Sequence, residues 1–318
     1  MSFWSRACNN KSRCREEMNN LPFFSVIIPV YNRGRVISNS IVSVINQTFD
    51  NWELIIIDDN SNDDTFESIS SFKDSRIVYL KNERNSGPAF SRNRGIIIAR
   101  GEVISFLDSD DRFYPDFLKS TYLYLIENNK IGFCWTGLEV KYKHEIKKEL
   151  WIPKTKNSPY YSFLKDLSIG SGCGLSIRRE IFQKCGLFNE ELSAAEDTEF
   201  LLRIVQKFEF GVIEDTLIFI DKSGNDRLSL NYERNAISYN KFINQHWSTI
   251  ICFPDLKKKF YYKLMWLNFH LGDFTLARVY YKRYIDEFGF TKKVYLLRML
   301  FEVFGKKIGS RIHIIVSS

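Results

Sequence analysis

The residues best suited to chemistry are three aspartates in the segment Asp108-Ser109-Asp110-Asp111. They directly follow residues 103–107, an apolar run with the length of a short buried strand. Carboxylates this close repel one another unless a positive charge lies among them. A divalent cation is a natural partner, because it prefers oxygen ligands and leaves positions open for substrate phosphates when few carboxylates hold it. An acidic turn that caps the next segment is the alternative that spacing alone leaves open.

Two more acidic pairs lie in comparable places. Asp58-Asp59 end the apolar run that begins at Trp52, and Glu196-Asp197 open a predicted helix after a Gly-rich segment, residues 169–175. Acids in the first turn of a helix also interact favourably with the helix dipole. That effect alone would explain Glu196 and Asp197, but not their position beside a Gly-rich loop.

The elements that must position these acids are alternating strands and helices. Apolar strand patterns begin at Phe23, Trp52, Arg76 and Val103, and helix patterns lie between them. The order β-α-β-α-β-α-β predicts an α/β domain with a mostly parallel, doubly wound sheet. Ligands bind at the carboxyl ends of such strands. We therefore expect the acids near residues 58 and 108 to converge on one site.

Composition excludes several classes of protein. The 318 residues are 44% hydrophobic and 26% charged, which is typical of a globular protein, and no apolar run is long enough for a membrane-spanning helix. The six cysteines show no close-spaced pairs, and the first residues lack the apolar core of a signal peptide. We therefore expect neither a zinc site nor a disulfide framework, and a location in the reducing cytoplasm.

The net charge of +7 is concentrated near the carboxyl terminus. Residues 250–318 contain 13 Lys/Arg and only five Asp/Glu. Such a segment suggests an anionic surface, either lipid or nucleic acid, or simply a solvated helical face. We divide the chain into a disordered tail (1–22), a catalytic domain (23–230) and a basic helical region (231–318).

One helix pattern in this basic region is apolar nearly all round. It covers residues 294–304, and lysines bracket it. We expect residues 292–307 either to contact a membrane surface or to pack on the catalytic domain.

Taken together, these segments resemble the inverting family 2 glycosyltransferases of the GT-A (nucleotide-diphospho-sugar transferase) fold, over about residues 23–215. The match consists of an opening strand that ends in Pro-Val-Tyr-Asn, the Asp58-Asp59 strand end, a helix start at residues 85–93, a DxD motif at 108–110 and an ED motif at 196–197. The resemblance implies a GT-A fold with a mostly parallel central sheet and a C-terminal helical extension. It assigns donor binding to Pro29, Val30, Tyr31, Asn32, Asp58, Asp59, Arg92, Asp108, Ser109, Asp110 and Asp111.

The resemblance also implies a mechanism. Asp108 and Asp110 would hold Mn²⁺ or Mg²⁺, Asp59 would accept a hydrogen bond from the nucleotide base, and Glu196-Asp197 would form the catalytic pair with Asp197 as general base. The donor we expect is a UDP-sugar, and the acceptor a glycan or lipid-linked glycan in surface polysaccharide biosynthesis. Such an enzyme would work in the cytoplasm, with peripheral contact to the inner face of the membrane.

Other functions fit the sequence less well. A sugar nucleotidyltransferase would carry a Gly-rich basic loop after its first strand, and a Rossmann dehydrogenase would carry G-x-G-x-x-G; neither motif is present there. A nucleic-acid binder would need a recognisable module in the basic region. A GT-A protein that binds sugar nucleotides or glycans without turnover remains the alternative. The chain also departs from the family near residues 219–229, where many members have an Arg-His pair and only Arg227 is a candidate for a phosphate contact.

Overall fold

The structure is a computed structural model that describes residues 21–152, 159–166, 174–222 and 232–290. Several predictions concern residues outside these ranges. These predictions are the disorder of residues 1–20, the Gly-rich segment apart from residues 174 and 175, the phosphate contact of Arg227, and the membrane contact of residues 292–307.

The first part of the fold alternates strands and helices. The elements are β1 (Phe24–Val30), α1 (Ile37–Ile45), β2 (Trp52–Asp58), α2 (Thr65–Ser70), β3 (Ile77–Lys81), α3 (Pro88–Ile98) and β4 (Val103–Phe106). The strands pair in parallel in the order β3-β2-β1-β4. β1 and β2 are buried along nearly their whole length, as expected for parallel strands covered on both faces. The predicted order of elements and the α/β class are confirmed.

The second part extends the same sheet. Its elements are β5 (Arg112–Phe113), α4 (Phe117–Glu127), β6 (Ile131–Lys141), β7 (Ile146–Glu149), α5 (Pro159–Asp166), β8 (Ser176–Arg178), α6 (Glu180–Cys185), α7 (Glu196–Ile204) and β9 (Glu209–Asp221). The strand order is β3-β2-β1-β4-β8-β6-β9-β5, and β7 pairs with β6. β6 and β9 are parallel, whereas β5, β7 and β8 run antiparallel to their neighbours. In the described residues the sheet is therefore mostly parallel, as predicted.

Helix α3 lies close against β1. A Cβ atom added at Gly95 would lie 2.6 Å from the Cγ2 atom of Ile27, so only glycine allows this approach. The helix begins at Pro88, directly after Gly87, whose φ of 90° favours glycine. The close packing fixes the height of Arg92 and Asn93 above the sheet.

Within residues 232–290 four further helices follow the sheet: α8 (Tyr232–Gln245), α9 (Trp247–Ile250), α10 (Pro254–Leu271) and α11 (Phe274–Phe288). Phe242 and Ile243 of α8 belong to the same buried core as Ile27 of β1, so α8 packs onto the domain that contains the sheet. α10 packs against both α8 and α11. The predicted C-terminal helical extension is confirmed. No helix in the described part of the chain is long and apolar enough to cross a membrane.

Candidate active site

The loops after β1 and β2 are joined by hydrogen bonds at the carboxyl edge of the sheet. Val30 and Asp58 are register partners at the ends of the two strands. The backbone N–H of Asn32 donates to Ser61 Oγ at 2.9 Å, and the N–H of Asn62 donates to Asn32 Oδ1 at 3.0 Å. Asn32 itself has a φ of 52°, which places its amide side chain back over the neighbouring loop. The two strand ends therefore form one rigid rim.

The first predicted donor-binding motif lies on this rim. Tyr31 is 43% exposed, and Pro29 and Asn32 are partly exposed. The Val30 side chain is buried in the core, and its carbonyl accepts the N–H of Asp59. Any donor contact of Val30 would therefore have to use the backbone, whereas Tyr31 presents its ring to solvent.

Asp58 is fully buried within the rim. Its Oδ1 accepts the N–H of Ser61 at 2.8 Å, and its Oδ2 accepts the hydroxyl of Tyr79 at 2.7 Å. Burial, the hydrogen bond and the charge of Asp58 raise the pKa of Tyr79. These contacts fix the loop after β2.

Asp59 connects the rim to the start of α3. Its Oδ1 accepts hydrogen bonds from Asn82 Nδ2 at 2.7 Å and from the N–H of Ser86 at 2.9 Å, and its Oδ2 accepts the N–H of Gly87 at 2.7 Å. Both carboxylate oxygens therefore hold the segment that leads into α3. The contact with a nucleotide base that the resemblance implies stays a prediction.

Arg92 of α3 links two of the predicted motifs. Its side chain is only 6% exposed, and its Nη2 and Nη1 atoms lie 2.8 Å from Asp108 Oδ1 and from Glu196 Oε1. Burial disfavours the guanidinium charge, but the two carboxylates outweigh that effect and raise its pKa. The donor-binding role that the resemblance implies for Arg92 stays a prediction; in the structure its buried guanidinium group joins the DxD and ED motifs.

The two acids of the ED motif have different environments. Glu196 is buried against Arg92, and burial together with the charge of Asp197 raises the pKa of Glu196 to about 7. Asp197, the next residue of α7, is partly exposed. Ala195, the residue before α7, has a φ of 62°, an uncommon conformation for a non-glycine residue. Of the pair, Asp197 is therefore the one with access to solvent.

The DxD segment forms a turn after β4 with an outer and an inner side. The outer side carries Asp108 and Asp110, whose side chains are 40% and 41% exposed. Ser109 and Asp111 are buried. Burial and the charges of Asp108 and Asp110 raise the pKa of Asp111, and a hydrogen bond from the backbone of Asp221 at the end of β9 opposes this shift. Asp111 therefore connects the turn to β9.

A divalent cation fits the outer side of this turn. Asp108 and Asp110 offer hard oxygen donors with solvent access, the ligand chemistry of Mg²⁺ and Mn²⁺. The described residues contain no cluster of three or more His, Cys, Asp or Glu arranged to enclose a metal. A cation held here would therefore complete its coordination with phosphate oxygens and water.

The sequence did not single out some residues near the site. Arg33 Nε lies 4.0 Å from Asp110 Oδ2, and Arg33 directly follows the first motif, which was a usable signal. Ser238 of α8 hydrogen-bonds to the backbone N–H groups of Ser193 and Ala194, just before the ED motif. No motif marks Ser238, because its partners lie more than 40 residues away.

The histidines of the described residues lie outside these motifs, and His270 stacks against Trp266. His144 is exposed, and His246 hydrogen-bonds to the Tyr160 hydroxyl at 2.9 Å while burial lowers the pKa of its imidazole. No step of the chemistry expected here needs them.

Comparison with known proteins gave consistent matches. A family model described as "Glycosyl transferase family 2" matches residues 25–186. Over 146 residues the chain is 38% identical to the Escherichia coli UDP-Glc:alpha-D-GlcNAc-diphosphoundecaprenol beta-1,3-glucosyltransferase WfgD. This alignment covers 46% of the present chain and 56% of WfgD. Over 198 residues it is 32% identical to WcaA of Escherichia coli K12, named for colanic acid biosynthesis, covering 60% of this chain and 69% of WcaA.

The chain does not match all relatives over their full length. It spans 56% of WfgD and 38% of a glycosyltransferase of Rickettsia conorii. Among solved structures, Staphylococcus aureus TarS 1–349 in complex with UDP-GlcNAc is similar with a TM-score of 0.59 at 22% identity. That alignment covers 69% of this chain and 65% of the TarS chain, and at this identity it shows a shared fold alone.

Proposed function

Because the chain belongs to glycosyl transferase family 2 and has the GT-A fold, we propose that it is an inverting enzyme that transfers a sugar from a nucleotide-diphosphate donor to a hydroxyl of a lipid-linked glycan. Family membership makes it a glycosyltransferase. The inverting mechanism, the metal and the base are part of the proposal.

One observation carries the mechanistic part of the proposal. Arg92 bonds Asp108 and Glu196 through the two ends of a single guanidinium group, and Asp197 directly follows Glu196. The acids suited to the leaving group and the acid suited to the acceptor hydroxyl therefore lie on either side of one buried side chain. A donor sugar bound between them would have the leaving diphosphate on one side and a proton acceptor on the other.

The leaving-group side of the cleft would use Asp108 and Asp110. A divalent cation, when bound there, supplies positive charge that offsets the charge developing on the departing diphosphate. Arg92 fixes the orientation of Asp108, and Arg33 lies beside Asp110. Asp108 is thus held by a hydrogen-bonded ion pair, whereas Asp110 has a guanidinium group only nearby, at 4.0 Å.

The acceptor side of the cleft would use Asp197. Its carboxylate takes the proton of the acceptor hydroxyl, and the oxygen attacks the anomeric carbon opposite the bond to the diphosphate. That bond breaks, and its electron pair leaves with the nucleotide diphosphate. One displacement of this kind inverts the anomeric configuration, and a positioned base contributes about 10²- to 10⁴-fold to the rate.

The substrate class follows from the relatives. WfgD is named for transfer from UDP-glucose to GlcNAc-diphosphoundecaprenol, and WcaA for a surface polysaccharide. We therefore assign this protein a UDP-sugar donor and a diphosphate-linked lipid acceptor in polysaccharide biosynthesis. Such an acceptor lies at a membrane, which gives the basic C-terminal region a reason to contact the cytoplasmic face.

The test is transfer from a panel of UDP-, GDP- and dTDP-sugars, with Mn²⁺, to N-acetylglucosamine linked through a diphosphate to an octyl chain. We expect transfer from a UDP-sugar, its loss on chelation, and a product of inverted configuration by NMR. Asp110→Asn should remove most turnover and weaken Mn²⁺-dependent UDP binding, whereas the exposed Asp215→Asn serves as matched control. Chelator-insensitive transfer by Asp110→Asn would refute the metal assignment. Tight UDP-sugar binding without transfer to any acceptor would favour a binding protein.

A further inference from the structure

Lys263 occupies an unusual position in the helical region. It lies on α10, is partly buried, and its Nζ is 3.6 Å from the centroid of the Tyr239 ring on α8. At this distance the ammonium lies directly on the aromatic face, within the range of a cation–π contact. Tyr239 also packs against the core that holds the sheet. The ammonium group is therefore held on a rigid surface.

Among the described residues no acid balances the charge of Lys263. Within the described part of the chain Lys263 forms no ion pair. Burial, together with the neighbouring cation Lys259, lowers the pKa of Lys263 to about 8. Lys259 lies four residues before Lys263 on α10, so both ammonium groups belong to the same face of this helix. A half-buried cation without a counter-ion is unfavourable for folding, and an anionic ligand would remove that penalty.

The ring beneath Lys263 connects it to the base motif. Burial, and then the charges of Asp197 and Glu196, raise the pKa of Tyr239, so this side chain lies in the field of both acids. The preceding residue, Ser238, is hydrogen-bonded to the loop that leads into α7. Helix α8 is therefore bonded at Ser238 to the loop before the ED motif, and the ring of the next residue, Tyr239, carries Lys263.

We propose that Lys263, seated on the Tyr239 ring, binds the diphosphate group of the acceptor. The inference rests on the proposed function, in which the acceptor hydroxyl meets Asp197. An acceptor sugar is then placed against Tyr239, and the phosphate at its other end reaches Lys263. Lysine suits this role because its ammonium is a point charge that binds phosphate oxygens without a fixed geometry. The same chemistry would bind a phospholipid headgroup or the donor diphosphate, so the test separates these sources.

The test compares two acceptors in detergent without phospholipid: the octyl diphosphate of N-acetylglucosamine and the uncharged octyl glycoside of the same sugar. For Lys263→Gln we expect the KM of the diphosphate acceptor to rise by about 10-fold or more, the loss typical of one charge-assisted hydrogen bond. The KM of the uncharged acceptor and that of the donor should not change. Lys263→Arg should retain most of the affinity. Lys258→Gln is the matched control, because Lys258 lies on the same helix against Tyr284 and Phe288.

Any other result would overturn the inference, and the kinetic pattern would show which alternative explanation holds. An unchanged KM in Lys263→Gln would show that the phosphate binds elsewhere, and a raised donor KM would place the nucleotide at Lys263. Equal losses on both acceptors with a lower Tm would mean a structural lysine. Selective loss only after anionic phospholipid is added would point to a headgroup. Wild-type protein that uses neither acceptor would refute the proposed acceptor class, and the inference with it.

Discussion

Replacing Arg92 with lysine tests whether its buried guanidinium group is what holds the DxD and ED motifs together. Lysine keeps the charge but has one nitrogen in place of the two guanidinium nitrogens that lie 2.8 Å from Asp108 and Glu196, so it cannot reproduce both contacts at their present positions. Losing one charge-assisted hydrogen bond costs about 1.5 to 3 kcal/mol, which for a domain of this size lowers the Tm by about 3 to 12 °C. Because the two motifs also lose their fixed separation, we expect kcat/KM to fall by about 10-fold or more. Thermal melts and transfer kinetics on the same preparations measure both effects.

A double-mutant cycle with Glu196→Gln makes this test specific. If the guanidinium group couples the motifs, the two changes together should destabilise by less than the sum of their separate effects, with a coupling of about 1 kcal/mol or more. Arg84→Lys is the control, because Arg84 is exposed in the loop before α3. An Arg92→Lys protein with the Tm of the wild type and no coupling to Glu196 would refute this reasoning.

Three further predictions concern the acids. Asp197→Asn should lower transfer by at least about 10²-fold while the affinity for the donor stays nearly constant, and a collapse of donor affinity would make Asp197 a binding residue. The Glu196 carboxyl has a folded-state pKa near 7, so its stabilising contribution is complete below about pH 4.5 and is lost as the pH rises through 7. Urea titrations should show this loss, up to about 3 kcal/mol, and Glu196→Gln should abolish it; an identical pH profile in both proteins would contradict the assignment. In Asp59→Asn an amide NH₂ group replaces one carboxylate oxygen and faces N–H groups that are themselves donors, so the Tm should fall by several degrees. Thermal melts without nucleotide measure this effect. An unchanged Tm would show that the start of α3 does not depend on Asp59.

Strands and strand ends that depend on a local pattern of residues could be predicted from the sequence. Apolar runs with polar ends identified β1, β2 and β4, and the rule for parallel sheets placed Asp58 and Asp108 at one edge. The antiparallel strands β5 and β8 contain only two and three residues, too few for a periodic signal. Their pairing depends on neighbours that are distant in the chain.

The sequence could not separate surface acids from buried ones. Asp108, Asp110 and Asp111 look alike in a run of four residues, yet Asp111 is only 5% exposed and points toward the end of β9. The role of Arg92 was also hidden, because its second partner comes from α7. Lys263 and Tyr239 carry no motif, and only the packing of α8 against α10 brings them together.

The contacts between α3 and the ED region have a consequence for how the protein matures during synthesis. Arg92 and Glu196 are 104 residues apart, and Asn93 bonds to Phe188 across 95 residues. At ribosomal rates of about 5 to 20 residues per second, roughly 5 to 20 s pass between the synthesis of Arg92 and that of Glu196. The first four strands form local parallel units in that interval, whereas the ED motif awaits these long-range contacts. In a chain that pauses during this interval, Arg92 already has Asp108 as a partner 16 residues away, whereas its second partner, Glu196, is still missing.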